Sequence, residues 1–293
     1  DTNFKGATVI RRLALLGVGL IGGSLVRALR QQRGVAEVVG YGRHRDNLNQ
    51  ALEQGVIDRV ADSVAEAVTG ADMVVVAVPL GAIRPLFSEM VGHLAEDVVV
   101  TDVGSVKGSV VEDAKAVFGT LPVWLIPAHP IAGTEKSGVA ASFAELYQGR
   151  RVILTPLPES DPVAVERVTE MWRLTGAEVV EMEVEHHDEV LAATSHLPHL
   201  LAYALVDSLA RQPSQREIFH FAAGGFRDFS RIASSNPTMW RDIAMANRQP
   251  LLDTLSRFRQ DLEQVETMIR DGEGDALQTL FSRAKQVRDE HYG

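Results

Sequence analysis

Up to about residue 182 the chain alternates short, unbroken apolar runs with stretches whose apolar residues recur at helical spacing. The runs lie at 12–16, 37–41, 73–78, 98–103, 123–127, 152–155 and 178–182, with early helical stretches at 24–31 and 46–54. Val, Ile and Leu runs without polar alternation suit strands covered on both faces, and strands alternating with helices build a mostly parallel sheet. The spacing therefore predicts an α/β domain over residues 1–183. Beyond it no β-rich run recurs, and helical spacing takes over at 184–210, 215–221, 238–272 and 274–291. In the third of these, Leu251, Leu255, Phe258, Leu262, Val265 and Ile269 mark one apolar helix face. Residues 184–293 are expected to form an all-helical second domain. Long amphipathic helices often bury their apolar faces against a second copy, which predicts a homodimer; the alternative is a bundle closed on itself.

Composition narrows the class. The 293 residues are 45% hydrophobic and 23% charged, the balance of a globular chain. A net charge of −10 argues against nucleic-acid binding, which depends on neutralising phosphates, but leaves room for a local cationic pocket. The absence of cysteine excludes disulfides, thiolate zinc sites and a cysteine nucleophile, and fits a reducing, cytoplasmic setting. No apolar run approaches the roughly 18 residues of a membrane span, so no membrane partner is expected. No signal peptide is visible, and the chain opens on Asp1 rather than Met, which leaves a preceding segment open.

The first candidate for chemistry is the turn Gly17-Val18-Gly19-Leu20-Ile21-Gly22, between an apolar run and a good helix. In this pattern the first glycine permits a tight turn, the second lets backbone approach a pyrophosphate, and the third lets helix pack on strand. With a second strand ending at Tyr41, the context is that of a Rossmann-type dinucleotide-binding domain. Gly17, Gly19, Leu20, Ile21 and Gly22 are assigned to the cofactor, with Val78 and Pro79 at the end of a later strand. The second strand continues into Gly40-Tyr41-Gly42-Arg43-His44-Arg45. A carboxylate there would bind the ribose hydroxyls of NAD, whereas Arg43, with His44 or Arg45, can pair with a 2′-phosphate. NADP is therefore favoured, with NAD possible.

Two strand ends carry further polar residues: Thr101-Asp102-Val103-Gly104-Ser105-Val106-Lys107, and Pro127-Ala128-His129-Pro130 continuing to Gly138. His129, read as a loop residue between two prolines, is a candidate general base with a pKa near neutrality. These segments, with the turn at 17–22, Ser195-His196-Leu197-Pro198-His199, the stretch from Gly224 through Arg231 to Ala233, and Trp240-Arg241-Asp242-Ile243, resemble the prephenate/arogenate (cyclohexadienyl) dehydrogenase family of tyrosine biosynthesis. The likeness covers nearly the whole chain in order.

The resemblance implies a dinucleotide-binding domain followed by a helical dimerisation domain. It also implies oxidative decarboxylation of prephenate and/or arogenate. By the same resemblance His129 is the catalytic base, and Ser105 orients it near the nicotinamide. Arg231 binds a substrate carboxylate, His199 contacts substrate with His196 in support, and Thr134 and Glu135 stand at the pocket entrance. Asp228, three residues before Arg231, is expected to pair with it. His196 and His199, three apart at a helix start, are expected to share a face; a metal there is set aside because no third ligand is evident. Trp240 is equally core or pocket wall. His186 and His187 are read as solvated residues at a helix start.

Two other readings remain. One is a β-hydroxyacid or imine dehydrogenase, which would need a lysine on a helix of the second half. None occurs between His187 and Ala210, and Lys285 is the sole lysine after residue 183. The other is a non-catalytic NAD(P)-binding redox sensor, which would not need His129, Ser105 and Arg231 together.

Overall fold

The computed structural model, which describes residues 10–293, builds its first half on strands whose side chains alternate between two cores. In chain order come β1 (Ile10–Leu16), α1 (Leu20–Gln31), β2 (Val35–Tyr41), α2 (Arg45–Glu53), β3 (Arg59–Val60), α3 (Val64–Val68), β4 (Met73–Val76), α4 (Ile83–Met90), β5 (Val99–Asp102), α5 (Lys107–Phe118) and β6 (Leu125–Ile126). Their strands form one parallel sheet in the order β3-β2-β1-β4-β5-β6. Leu13, Leu15, Met73, Val75 and Val99 join one core with Leu25 and Leu29 of α1. Their neighbours Ala14, Leu16, Val74, Val76 and Val100 join the other with α3, α4 and α5. This two-residue alternation explains why the runs carry no polar positions: both faces are covered. Each fully buried Val or Leu side chain stabilises the fold by about 1.5–3 kcal/mol.

Register decides where the site can be. Leu16 pairs with Tyr41 on one side and with Val76 on the other, and Val76 pairs with Asp102. The ends of four strands therefore share one edge, on either side of the point where the chain order reverses between β1 and β4, the position where such sheets bind ligands.

The expected single sheet is in fact two. The run at 123–127 contributes only β6, Val123 is half exposed, and at Pro127 the chain crosses into a second sheet. That sheet contains β7 (Ala128–Pro130), β8 (Arg151–Leu154) and β9 (Glu178–Glu181), with α6 (Pro162–Leu174) between the last two. β7 runs antiparallel to β8, and β8 parallel to β9. β7 and the two-residue β3 are too short to leave a periodic signal, so nine strands stand among the described residues where seven runs were read.

Helices follow: α7 (Val184–Leu191), a π-helical turn (Ala192–His196), α8 (Leu197–Ala210), α9 (Gln215–His220), α10 (Gly224–Ser230), a 3-10 turn (Arg231–Ser234), α11 (Pro237–Ala246), α12 (Arg248–Arg270) and α13 (Gly274–Tyr292). The stretch at 184–210 is thus not one regular helix. Pro198 has no N–H for the carbonyl of Thr194 and its ring would crowd it, and the helix widens just before the proline. The stretch at 238–272 breaks at Asn247, whose backbone (φ −103°, ψ 39°) leaves the helical region. The described residues divide into two compact units, one ending at Asn247 and the other Arg248–Gly293. The expected boundary near 183 lies inside the first. In the second unit Leu262 and Ile269 of the predicted apolar face are exposed. No described helix is long and apolar enough to cross a membrane.

Candidate active site

The glycine turn fits a dinucleotide by its shape. Gly17 has φ +98°, and a Cβ there would lie 2.2 Å from the carbonyl oxygen of Ala77 and 2.9 Å from Cγ1 of Val78. A Cβ on Gly22 would lie 2.6 Å from the carbonyl oxygen of Gly17. A Cβ on Gly19 would meet nothing within 4 Å. Two glycines therefore close the turn and the third opens it. α1 starts at Leu20 with no side-chain cap, so its first N–H groups are available to a phosphate. Asn47 of α2 fixes the turn from outside: its Nδ2 donates to the carbonyl of Val18 (2.5 Å) and its Oδ1 accepts from the N–H of Val139 (3.0 Å). Nothing in the sequence around Asn47 marked it. Pro79 precedes the 3-10 turn Leu80–Ala82, against which α11 packs. Of the cations after β2, Arg45 is engaged with Asp62 (2.9 Å), and Arg43 is exposed with no ion pair among the described residues. His44 is the backbone N-cap of α2.

At the end of β5 a fully buried ion pair replaces open solvent. Lys107 Nζ donates to Asp102 Oδ2 (2.5 Å) and to the carbonyl of Ala128 (2.6 Å). Asp102 also accepts the N–H groups of Gly104 (2.7 Å) and Ala128 (3.2 Å). Burial lowers the Lys107 pKa against the opposing pull of Asp102. This clamp fixes the start of β7 beside the end of β5 and the start of α5.

His129 is the next residue. It lies on β7 and is only 8% exposed, so the loop placement expected from its flanking prolines is corrected: Pro130 is itself in the strand. Nor does its pKa sit near neutrality. Burial, then the neighbouring His187, Lys107 and His196, hold it well below the usual imidazole value. Its Nδ1 lies 2.9 Å from Nε2 of His187, and His187 Nδ1 lies 2.8 Å from Asp188 Oδ1. His187 is completely buried, which overturns its reading as solvated; His186 beside it is exposed as expected. Helical periodicity turns one residue of the adjacent pair inward, and that one is His187. Asp188 also accepts the N–H groups of Lys107 and Gly108 (2.8 Å each), capping α5 from α7. A Cβ on Gly108 would lie 2.8 Å from Asp188 Oδ2, so a side chain there would have to shift the carboxylate. Ser105 is half-buried and makes no hydrogen bond to His129.

The helical side faces this cluster with different chemistry. His196, at the end of the π-helical turn, accepts at Nδ1 from Asn247 Nδ2 (3.0 Å), so its proton sits on Nε2, which is enclosed and unpartnered among the described residues. Burial lowers its pKa to about 4. His199 stacks on Trp240 (centroids 3.6 Å apart, planes at 16°), and His196 meets the same indole edge-on. The two histidines thus converge on Trp240, whose Nε1 is also enclosed and unpartnered. The His199 pKa is lowered by burial first and then by the nearby Arg231. Arg231, opening its 3-10 turn, is exposed and forms no ion pair among the described residues; the expected partnership with Asp228, which is also exposed, does not form. Thr134 and Glu135 lie on an exposed loop, where Thr134 Oγ1 accepts from the N–H of Lys136 (3.2 Å).

Comparison with known proteins now decides the family. Residues 25–181 match the nucleotide-binding domain of prephenate dehydrogenase, and residues 183–283 match its dimerisation domain. The chain belongs to the prephenate dehydrogenase family. It is 38% identical to the cyclohexadienyl dehydrogenase of Zymomonas mobilis, over 96% of each chain. A crystal structure of prephenate dehydrogenase from Aquifex aeolicus, in complex with hydroxyphenyl propionate and NAD+, superposes with a TM-score of 0.89 at 36% identity, covering 96% of this chain and 98% of that one. The arogenate dehydrogenase of Synechocystis gives a TM-score of 0.81 at 28% identity, covering 96% and 99%. The prephenate dehydrogenase family members are oxidoreductases, and this chain is one: an NAD(P)-dependent dehydrogenase with a Rossmann-type domain followed by a helical dimerisation domain.

Proposed function

We propose that this chain catalyses the oxidative decarboxylation of prephenate and/or arogenate, giving 4-hydroxyphenylpyruvate or tyrosine. The observation that carries this reading is His129, held rigidly near the sheet edge that bears the glycine turn, with Nε2 making no hydrogen bond among the described residues. The turn at 17–22, with Val78 and Pro79 beside it, would hold the dinucleotide by its pyrophosphate, and its nicotinamide would supply the acceptor for the hydride from C4. His129 Nε2 takes the proton of the C4 hydroxyl as that C–H bond breaks. The ring carbon then releases its carboxylate as carbon dioxide, and the electron pair of the broken C–C bond moves through the ring to the oxygen. His129 returns its proton there, completing the phenol. Aromatisation provides the driving force, so the protein's task is positioning and proton transfer.

Arg231 offers a guanidinium fork to a substrate carboxylate, His199 and Trp240 form the wall beside it, and His196 offers an Nε2–H to a substrate oxygen. Ser105 borders the nicotinamide side, and Thr134 and Glu135 lie at the entrance; Asp228, exposed three residues before Arg231, is left without a role in binding. The unpaired Arg43 supports NADP over NAD, and the exposed apolar residues of α12 support a homodimer through the helical half.

The test is a rate matrix of two substrates against two cofactors, followed as reduced-nicotinamide absorbance, with His129→Asn alongside. Loss of a general base costs about 10²–10⁴-fold in kcat. A wild type that turns over neither substrate would favour the sensor reading, and an unimpaired His129→Asn would remove the base.

A further inference from the structure

Asp188, His187 and His129 form a chain whose polarity only one member can set. Burial pushes the Asp188 pKa up, but hydrogen bonds from His187 and from the N–H groups of Lys107 and Gly108 outweigh it, and the net shift is downward. The carboxylate is therefore ionised and can only accept. His187 Nδ1 must donate to it at 2.8 Å. His187 is itself held neutral by burial, so its Nε2 carries a bare lone pair. That lone pair faces His129 Nδ1 at 2.9 Å and requires a proton on it. A neutral imidazole with its proton on Nδ1 has Nε2 free to accept.

We propose that His187, anchored by Asp188, is a positioning residue that fixes the tautomer and ring orientation of His129, so that Nε2 is the atom that takes the hydroxyl proton. The proposal rests on His129 being the base. The geometry supports it on three counts. Asp188 is itself immobilised by two backbone N–H groups of α5, so the chain starts from a fixed point. The rings of His129 and His187 stand at 68°, edge to face, which directs one nitrogen of each at the other. The other charged or titratable groups facing His129 are Lys107, engaged with Asp102 and Ala128, and His196, engaged with Asn247, so neither competes for Nδ1. When His129 is protonated at Nε2, its Nδ1–H keeps the same partner and the Asp188 charge lies one ring away. The chain therefore serves both halves of the proton transfer.

Two substitutions separate this role from space-filling. His187→Leu removes the acceptor, and His187→Gln restores one as a side-chain amide oxygen. In His187→Leu, kcat is expected to fall roughly 10²-fold while KM for substrate and cofactor stays within about twofold, because the lost interaction matters in the transition state. His187→Gln is expected to recover most of that loss. Nitrogen-15 histidine spectra of the full wild-type chain, assigned through the signals lost in His129→Asn, are expected to show His129 protonated at Nδ1 and bare at Nε2. A wild-type His129 protonated at Nε2 overturns the proposal, as does equal kcat in the two His187 variants. If His187→Leu does not fold, the wild-type spectrum and His187→Gln still decide. An inactive His129→Asn beside a fully active His187→Leu removes the positioning role alone, whereas an unimpaired His129→Asn removes the base itself.

Discussion

On one side of the site, Asp102, Lys107, Asp188, His187 and His129 Nδ1 commit their polar atoms to one another and to backbone, leaving His129 Nε2 open; on the other, Arg231, His196 and Trp240 keep donors with no partner among the described residues. An enclosed donor without a partner costs about 1–3 kcal/mol, a penalty that a ligand offering an acceptor would relieve. Groups already satisfied gain little from a ligand but cannot drift from their geometry. The contrast supports the proposed division, with chemistry on the locked side and recognition of an anionic substrate on the open side.

The largest expected effect breaks the locked side. Lys107→Met leaves Asp102 buried without its cation, and loss of one partner of a buried pair lowers stability by about 3–5 kcal/mol. Urea unfolding monitored by circular dichroism reads this directly. Adding Asp102→Leu to the same chain should recover part of the loss, because no buried charge then remains unpaired. A change below about 1 kcal/mol in the single variant would mean that the clamp does not hold β7 in place.

On the open side, removing the exposed Arg231 should leave the fold intact and weaken binding. A charge-assisted hydrogen bond is worth about 1.5–3 kcal/mol, so Arg231→Leu should raise the substrate KM roughly 10–100-fold with kcat little changed. Initial rates over a wide substrate range measure it. If kcat falls while KM holds, Arg231 acts at the reacting centre and the division between the two sides fails.

What the sequence disclosed follows the same division. Unbroken runs such as 12–16, 73–78 and 98–103 were legible because both faces of their strands are buried, and the glycine turn because its spacing is dictated by backbone clearance. Family likeness pointed to His129 and Arg231. The relay through His187 was not legible, since its partner His129 lies 58 positions away and nothing in the spacing brings the two together. The register that brings β7 beside β5 depends on Lys107 reaching the carbonyl of Ala128, a contact to backbone that leaves no mark on the identity of the residue contacted. The break at Pro127, which moves His129 from loop to strand, hides for the same reason: both prolines suggest a turn, yet an edge strand tolerates Pro130.

The smallest expected effect sharpens the comparison at its outer rim, where Arg43 is another open-side kind of group stationed on the sheet edge. Arg45 is already engaged with Asp62, so Arg43 is the cation left to meet a 2′-phosphate. Both side chains are solvent-exposed, where screening keeps charge pairs weak, so Arg43→Ala should raise the KM for NADP by no more than roughly fivefold. The KM for NAD, which lacks that phosphate, should not move. Arg45→Ala should do less than Arg43→Ala, because its charge is already partly neutralised. Measured at low and at moderate salt, the Arg43 effect on NADP should shrink as salt rises. An equal effect on both cofactors would place Arg43 against the adenosine ring or the pyrophosphate, and the preference between NAD and NADP would then rest on the backbone of the turn after β2.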